Sequence, residues 1–237
     1  MGLTDGTVQR LTGCTLRCID KPWAFSQGNR AAIDRHWARR QAENPSFFNG
    51  TVLILTESRI TDSVLEGTFA RSDFASNIYW REAGYPDTTV WDAFGSAIIR
   101  SAEGHILLSV QGAGSLSVGE TRFPSGFIDH NDVGRDGTVD LAASVHREVA
   151  EETGLGPDVV TAAPGFILSV TGQLASLGVE FHSRLPATDL RNRVMAHIRS
   201  SAEPELSEVL IARSRRDIDE ARTPAFTRQV LRLLLPE

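Results

Sequence analysis

The stretch Arg147-Glu-Val-Ala-Glu-Glu-Thr-Gly-Leu155 decides which fold and which chemistry this chain can support. Its glutamates, Glu148, Glu151 and Glu152, are spaced i, i+3, i+4, so on a helix they lie within an arc of about 100°. Gly154 stands where a left-handed residue ends a helix. Three crowded carboxylates repel one another, and a hard cation such as Mg²⁺ or Mn²⁺ converts that repulsion into coordination by oxygen.

A solvated acidic face, which is common on surface helices, is the alternative interpretation of these glutamates. The surroundings favour the metal site instead. Arg147 can brace the carboxylates from the neighbouring position, and the bend 124–126 (Pro-Ser-Gly) lies about twenty residues upstream. We predict one helix over 139–153, with Thr138 as its N-cap and an apolar side that anchors it to a core. His146 on this helix is interpreted as a packed histidine and not as a metal ligand.

The segment resembles the C-terminal half of the Nudix box, Gly-x5-Glu-x7-Arg-Glu-U-x-Glu-Glu-x-Gly-U, in which U is aliphatic. Every specified position from the arginine onwards is matched, by Arg147, Glu148, Val149, Glu151, Glu152, Gly154 and Leu155. Phe123-Pro-Ser-Gly126 is similar to the Pro-Gly-Gly turn that leads into the box. The resemblance covers roughly residues 88–235. It implies an α/β fold, a Nudix-type α/β/α sandwich with a mixed sheet, and metal-dependent hydrolysis of a diphosphate.

The same resemblance implies a set of site residues. The metal ligands, for Mg²⁺ or Mn²⁺, would be the side chains of Glu148, Glu151 and Glu152 and the backbone carbonyl of Ser125. The catalytic group would further include Arg147 and a base from a later loop, for which Glu205 and Glu208 are the candidates just before a predicted strand.

The sequence departs from the signature in two places. Gly126 and Arg147 are 21 positions apart, against 14 in the signature, and residues 130–137 look like an inserted loop. The first glutamate of the signature also falls on Val139, and we expect Asp140 to substitute as the partner of Arg147. The acidic residues near the insertion (Asp129 and Asp132, with His130) could add a polar contact, but we interpret this segment as a flexible solvated loop.

The longer box and the residues before it are similar to a Nudix branch that hydrolyses UDP-glucose and UDP-galactose. The likeness rests on residues 31–55 and on Ser72-Asp-Phe-Ala-Ser-Asn-Ile-Tyr79. We therefore expect an N-terminal α/β lobe over 1–88 and a catalytic domain over 89–237. Lobe aromatics offer stacking faces for a base, although core packing is the alternative for each of Trp37, Phe47, Phe48, Tyr79 and Trp80.

Three functions remain open at this point. The first is a UDP-sugar diphosphatase that gives UMP and a sugar 1-phosphate. The second is a Nudix hydrolase of ADP-ribose or another nucleotide derivative. The third is a nucleotide-binding regulator without catalysis. The residues do not fix the base, the sugar or the oligomeric state.

Composition excludes several other classes. The chain has 237 residues and a formal charge of −6, which does not favour a nucleic-acid partner, because backbone phosphates require clustered Lys and Arg. The start lacks a basic region followed by an apolar run, and no apolar run approaches the ~20 residues of a membrane span, so we expect no membrane partner and a cytoplasmic location. Cys14 and Cys18 are interpreted as reduced thiols.

Overall fold

The computed structural model describes residues 2–237 and shows a mixed α/β fold. The N-terminal elements are β1 (Val8–Leu11), β2 (Gly13–Pro22), α1 (Ala24–Gly28), α2 (Arg30–Glu43), β3 (Thr51–Thr61), β4 (Val64–Asp73) and α3 (Phe74–Glu82). The next elements are β5 (Asp92–Arg100), β6 (Ile106–Gln111), β7 (Thr121–Arg122), β8 (Ser125–Phe127), a 3₁₀ turn at His130–Asp132 and α4 (Leu141–Thr153). The chain ends with β9 (Val160–Ala162), β10 (Phe166–Thr171), β11 (Leu174–Ser183), α5 (Ala187–Ser200), β12 (Leu206–Ala212), a 3₁₀ turn at Arg215–Asp217 and α6 (Ala225–Leu234).

The large sheet has the strand order β1-β10-β11-β5-β6-β12, with β7, β8 and β9 paired to β6, β5 and β11. Strands β5 and β11 run parallel, whereas the other pairs of this sheet are antiparallel, so the predicted mixed sheet is confirmed. Helices α4 and α5 contact one part of the sheet, and α6 packs on β10 over a separate apolar cluster. A smaller sheet has the order β2-β4-β3.

Helix α4 lies unusually close to the sheet at β5. A Cβ added to Gly95 would lie 2.5 Å from Val145 Cγ2, so the absent side chain lets the helix approach the strand. Val145 and Val149 are buried in the core, as expected for the apolar side of the helix, whereas Ala142 is exposed. The glutamate side of α4 is thereby fixed relative to β8, which pairs with β5.

The predicted start of this helix is wrong, while its end is confirmed. The helix begins at Leu141, and its N-cap is Asp140, whose carboxylate accepts a hydrogen bond from the Ala143 N–H at 3.0 Å. Val139 stays extended and is 4% exposed, because an apolar side chain gains more from the core than from the first helical turn. Gly154 closes the helix with φ +66°.

The N-terminal residues contact the rest of the chain at several points. Strand β1 pairs with β10 in the large sheet, and the Leu53 N–H donates to the Ile128 carbonyl at 2.9 Å. One apolar cluster contains residues from β2, β3 and β4 together with residues from α4. The division of the chain at residue 88 stays a prediction. Within residues 2–237, no helix is long and apolar enough to cross a membrane.

Candidate active site

Glu148 lies directly against the backbone of Gly126. A Cβ built on Gly126 would come within 2.1 Å of Glu148 Cδ, so the carboxylate occupies the space that any larger residue would fill. Gly126 is held there by pairing with Gly95 across β8 and β5. Gly126, in the turn that resembles the one leading into the Nudix box, therefore leaves the space that the carboxylate of Glu148 occupies. We call the backbone of Ser125 and Gly126 the glutamate seat.

Glu152 is the most deeply buried of the three helix glutamates. The residue is 8% exposed, and its Oε2 atom has no hydrogen-bond partner. Burial, together with the charges of Glu148 and Glu205, raises the pKa of Glu152 to about 8. Burial likewise raises the pKa of Glu148 to about 7, although Arg147 opposes this effect. Two neighbouring carboxyls that ionise with difficulty are poised to exchange protons for a cation.

Glu151 is exposed, unlike Glu148 and Glu152 on the same helix. Its side chain is 64% exposed and lies 3.9 Å from Arg147 Nε. Within residues 2–237, no three His, Cys, Asp or Glu side chains converge closely enough to enclose a metal ion. The oxygen chemistry and the unpartnered Glu152 Oε2 nevertheless fit a hard divalent cation at Glu148 and Glu152. The part of Glu151 in such a site stays a prediction.

Ser125 is the first residue of β8 and lies beside Gly126. Its backbone N–H, which points to Glu152, opposes the effect of burial on the pKa of that carboxyl. This contact places the Ser125 backbone at the glutamate pair. Metal binding by the Ser125 carbonyl stays a prediction.

The two candidate bases lie in different surroundings. Glu205 is close enough to Glu148 and Glu152 for its charge to raise the pKa of both, and it lines a cavity of about 80 Å³ that Glu151 and Glu152 also line. Glu208 lies 3.7 Å from Arg191 Nη2. The backbone N–H of Gly112 donates to the Glu205 carbonyl at 2.7 Å and holds this loop against the end of β6. The structure therefore brings Glu205 to the glutamate pair and gives Glu208 a counterion elsewhere.

The partner of Arg147 is Asp132, and the expectation of Asp140 is wrong. Arg147 Nη1 donates to Asp132 Oδ1 at 2.8 Å, and Ser144 Oγ donates to Asp132 Oδ2 at 3.0 Å. The carboxylate of Asp140 instead caps the helix, and it makes no ion pair with Arg147. Arg147 also reaches Glu148, with Nη2 at 3.3 Å from Oε1. Arg147 thus links a buried aspartate to the glutamate seated on Gly126.

The segment that carries Asp132 is ordered by its own hydrogen bonds, so the interpretation as a flexible solvated loop is wrong for this part of it. Asp129 caps the 3₁₀ turn by accepting from the Asn131 N–H at 2.7 Å, while Asp132 accepts from the Asp129 N–H at 2.9 Å. The Asp132 side chain is only 2% exposed. The spacing of the signature contained a signal for this contact, because Gly-x5-Glu counted forwards from Gly126 places its acidic position at Asp132, whereas counting backwards from Arg147 gives Val139.

His146 contacts the ring of Phe181 edge-on, with the centroids 4.9 Å apart. The residue is otherwise exposed, so the interpretation of His146 as a packed histidine holds only for this one contact.

Comparisons with known proteins were made on sequence and on structure. No model of a protein family matches the chain, and no curated protein matches it either. Among solved structures, the chain is similar to a MutT protein from Methanosarcina mazei Go1, with 18% identity, a TM-score of 0.42, and coverage of 61% of this chain and 92% of that one. It is also similar to the Nudix hydrolase RenU from M. smegmatis, with 13% identity, a TM-score of 0.39, and coverage of 60% and 81%.

A third similar structure is a bifunctional NMN adenylyltransferase/ADP ribose pyrophosphatase from Francisella tularensis. The identity is 16% and the TM-score 0.39, and the match covers 67% of this chain and 43% of that one. Likenesses of this size do not assign a function.

Replacing Gly126 tests the seat of Glu148. In Gly126→Ala the added methyl group takes the space of the carboxylate, so Glu148 must turn away while the strand remains paired. We expect kcat to fall roughly 100-fold, as is typical for loss of a key electrostatic group, with little change in melting temperature. Gly114→Ala is the control, because its Cβ would meet nothing within 4 Å. Equal activity of the two variants would contradict the assignment.

Substitutions of Asp132 and Asp140 should affect stability and kcat differently. Asp132→Ala leaves Arg147 without its buried partner, so we expect a loss of about 1.5–3 kcal/mol in unfolding free energy together with a lower kcat. Asp140→Ala removes an N-cap, which costs about 1 kcal/mol, and leaves kcat near that of the wild type. Chemical denaturation and steady-state kinetics measure both effects. A larger loss of kcat in Asp140→Ala than in Asp132→Ala would restore the rejected expectation.

Without metal, the protein should lose stability as pH rises. In the folded state the pKa of Glu148 is raised to about 7 and that of Glu152 to about 8, from the ordinary 4.5. Between pH 4.5 and these raised values, the folded state therefore binds more protons than the unfolded state. Stability therefore falls from about pH 4.5 to about pH 8 and levels off above. Thermal melts in EDTA should show this fall in the wild type and a smaller one in Glu152→Gln. Identical slopes for the two proteins would contradict the raised pKa of Glu152.

Proposed function

We propose that this chain is a Nudix-type hydrolase that uses Mg²⁺ or Mn²⁺ to split the diphosphate of a nucleoside diphosphate linked to another group. The observation that carries the proposal is the pair of buried Glu152 and half-buried Glu148, with Glu148 against the backbone of Gly126, within a segment that matches the box. Burial keeps the pKa of both carboxyls high. A solvated acidic face, the alternative, would leave all three helix glutamates exposed as Glu151 is.

Hydrolysis of a diphosphate requires mainly positioning and neutralisation of charge. A divalent cation, when bound, would offset the charge of the phosphate oxygens and lower the pKa of an attacking water. Glu148 and Glu152 would hold that cation. Arg147 favours the ionised form of Glu148, because its guanidinium lies at 3.3 Å from Oε1. Glu205, whose charge acts on both glutamates, would accept the proton of the water.

We further propose a UDP-sugar as the substrate, with the N-terminal residues contributing to its recognition. A hydrolytic core recognises little beyond phosphate and cation, so discrimination among bases and sugars has to come from elements around it. Phe74 of α3 contacts Phe127 of β8, with ring centroids 5.6 Å apart, and Phe127 directly follows Gly126. Trp37 and Phe47 continue this aromatic row. Trp80 is fully buried and packs in the core.

Hydrolysis of ADP-ribose or another nucleotide derivative is the second candidate, because neither the box nor the glutamate pair selects a base. A nucleotide-binding regulator without catalysis is less consistent with the site. Crowding buried carboxylates destabilises the fold, and a protein that only binds has no use for that arrangement.

Substitutions of single glutamates distinguish the proposed metal ligands from the proposed general base. Glu152→Gln removes one charge and should lower kcat at least ~100-fold at saturating Mg²⁺, and it should also weaken binding of Mn²⁺ as measured by electron paramagnetic resonance. Glu205→Gln should lower kcat more than Glu208→Gln, because Glu208 is paired with Arg191. Wild-type turnover and Mn²⁺ affinity in Glu152→Gln would overturn the proposed metal site.

The substrate proposal is tested with a panel of nucleotides and identification of the products. We expect UDP-glucose or UDP-galactose to be cleaved with Mg²⁺ to UMP and hexose 1-phosphate. The kcat/KM should exceed that for ADP-ribose more than ~10-fold, which corresponds to about 1.4 kcal/mol of differential transition-state binding. Turnover of ADP-ribose but not of UDP-sugars would support the second candidate. Tight binding without product over hours would support the regulator.

A further inference from the structure

Arg122 occupies a gap in the middle of the large sheet. Strands β5 and β6 pair directly only at Ile99–Leu107 and Arg100–Ile106, and beyond this point β7 and β8 lie between them. Arg122 is the last residue of β7, opposite Ser109 of β6, and Ser109 Oγ donates to the Arg122 carbonyl at 2.9 Å. The backbone of Arg122 is therefore fixed three residues before the Ser125–Gly126 seat of the glutamates.

One nitrogen of the Arg122 guanidinium, Nη2, has a hydrogen-bond partner, and another, Nε, has none. Nη2 donates to Gln111 Oε1 at 2.9 Å, and the same oxygen accepts from Ser115 Oγ at 3.0 Å. Nε is buried and has no hydrogen-bond partner. An unpaired buried donor of a charged group is costly, and the Nε edge of an arginine is a fork that suits carboxylate or phosphate oxygens.

The charges around Arg122 are near it but do not contact it. Glu152, Glu120 and Asp92 act on it as acidic neighbours, and Arg81 as a basic one. Within residues 2–237, none of the carboxylates lies within 4 Å of an Arg122 nitrogen. Asp92 is instead 3.6 Å from Arg81 Nη1. Arg122 thus lies near Glu152 with a buried, unpaired Nε and without a direct carboxylate counterion.

We propose that Arg122 binds a phosphate oxygen of the diphosphate substrate through its Nε edge, and this inference rests on the proposed function. An organic diphosphate that approaches Glu148 and Glu152 meets negative charge. A cation held by Glu148 and Glu152 would offset part of that charge, and Arg122 would add a fixed positive charge and a directed hydrogen-bond donor. The hydrogen bond to Gln111 holds the guanidinium in place, so little side-chain entropy is lost on binding. Arg122 is then a substrate-binding residue outside the box.

A structural role is the competing explanation, in which Arg122 only fastens the loop after β6 through Gln111 and Ser115. The two explanations predict different effects on stability and on diphosphate affinity when the guanidinium is removed. A fastening residue affects stability and leaves diphosphate affinity alone, whereas a phosphate-binding residue affects the affinity for any diphosphate, whatever its base.

The test is calorimetric binding of α,β-methylene-UDP and α,β-methylene-ADP in Mg²⁺, because the P–C–P bridge of these probes resists hydrolysis. Arg122→Gln should weaken whichever probe the wild type binds by roughly 10-fold or more and should raise KM for the cleaved substrate. Arg122→Lys should restore part of the affinity, because lysine keeps the charge but not the fork. Arg184→Gln, at an exposed arginine outside the box, is the matched control and should bind as the wild type does.

Unchanged affinity in folded Arg122→Gln, with wild-type hydrolysis intact, would overturn the inference and leave the proposed function standing. If Arg122→Gln does not fold, Arg122→Lys decides, and affinity within 2-fold of the wild type would overturn the inference. A wild type that binds neither probe and cleaves no nucleotide diphosphate would overturn both proposals.

Discussion

The repulsion between Glu148 and Glu152 is the constraint on which the rest of this structure depends. Glu152 is buried and Glu148 half-buried beside it, with the carboxylate of Glu205 nearby, and burial raises the pKa of both helix glutamates. Such an arrangement destabilises a fold at neutral pH unless a proton or a cation is bound. The close approach of α4 to β5, the glycine seat on β8 and the guanidiniums of Arg147 and Arg122 are all placed around this one pair.

Positive charge is supplied to the pair from two sides. Arg147 approaches Glu148 from the same helix and is itself fixed by buried Asp132. Arg122 approaches Glu152 from the strand before the seat and favours the ionised form of that carboxyl. Each arginine is oriented by a hydrogen bond to a partner other than the glutamates. The geometry of the pair is therefore set by the surrounding fold and not by the flexible glutamate side chains alone.

The helix apart from its start, its glycine end and the mixed sheet could be predicted from the sequence, because they depend on local spacing and on a complete match from Arg147 to Leu155. The partner of Arg147 depends on the end from which the signature is counted. Counted backwards from Arg147, the first glutamate falls on Val139, and helical spacing then favours Asp140, a carboxylate on a similar face. Counted forwards from Gly126, the same position falls on Asp132. The chain uses Asp132, whose position depends on how the longer segment folds back. Arg122 gave no signal, because the gap between β5 and β6 arises only from the pairing of β7 and β8.

The longer segment owes its position to the N-terminal strands. The Cys18 N–H donates to the Gly137 carbonyl at 2.8 Å, and the Val139 N–H donates to the Leu16 carbonyl at 2.9 Å, so β2 holds the segment on both sides of Thr138. Gly137 has φ +82° and its Cβ position lies 3.2 Å from the Cys18 carbonyl, a close approach that suits glycine. This anchor fixes the segment that carries Asp132, and Asp132 fixes Arg147. The residues before the box thus contribute to the glutamate site through the backbone, whatever part they have in recognising a substrate.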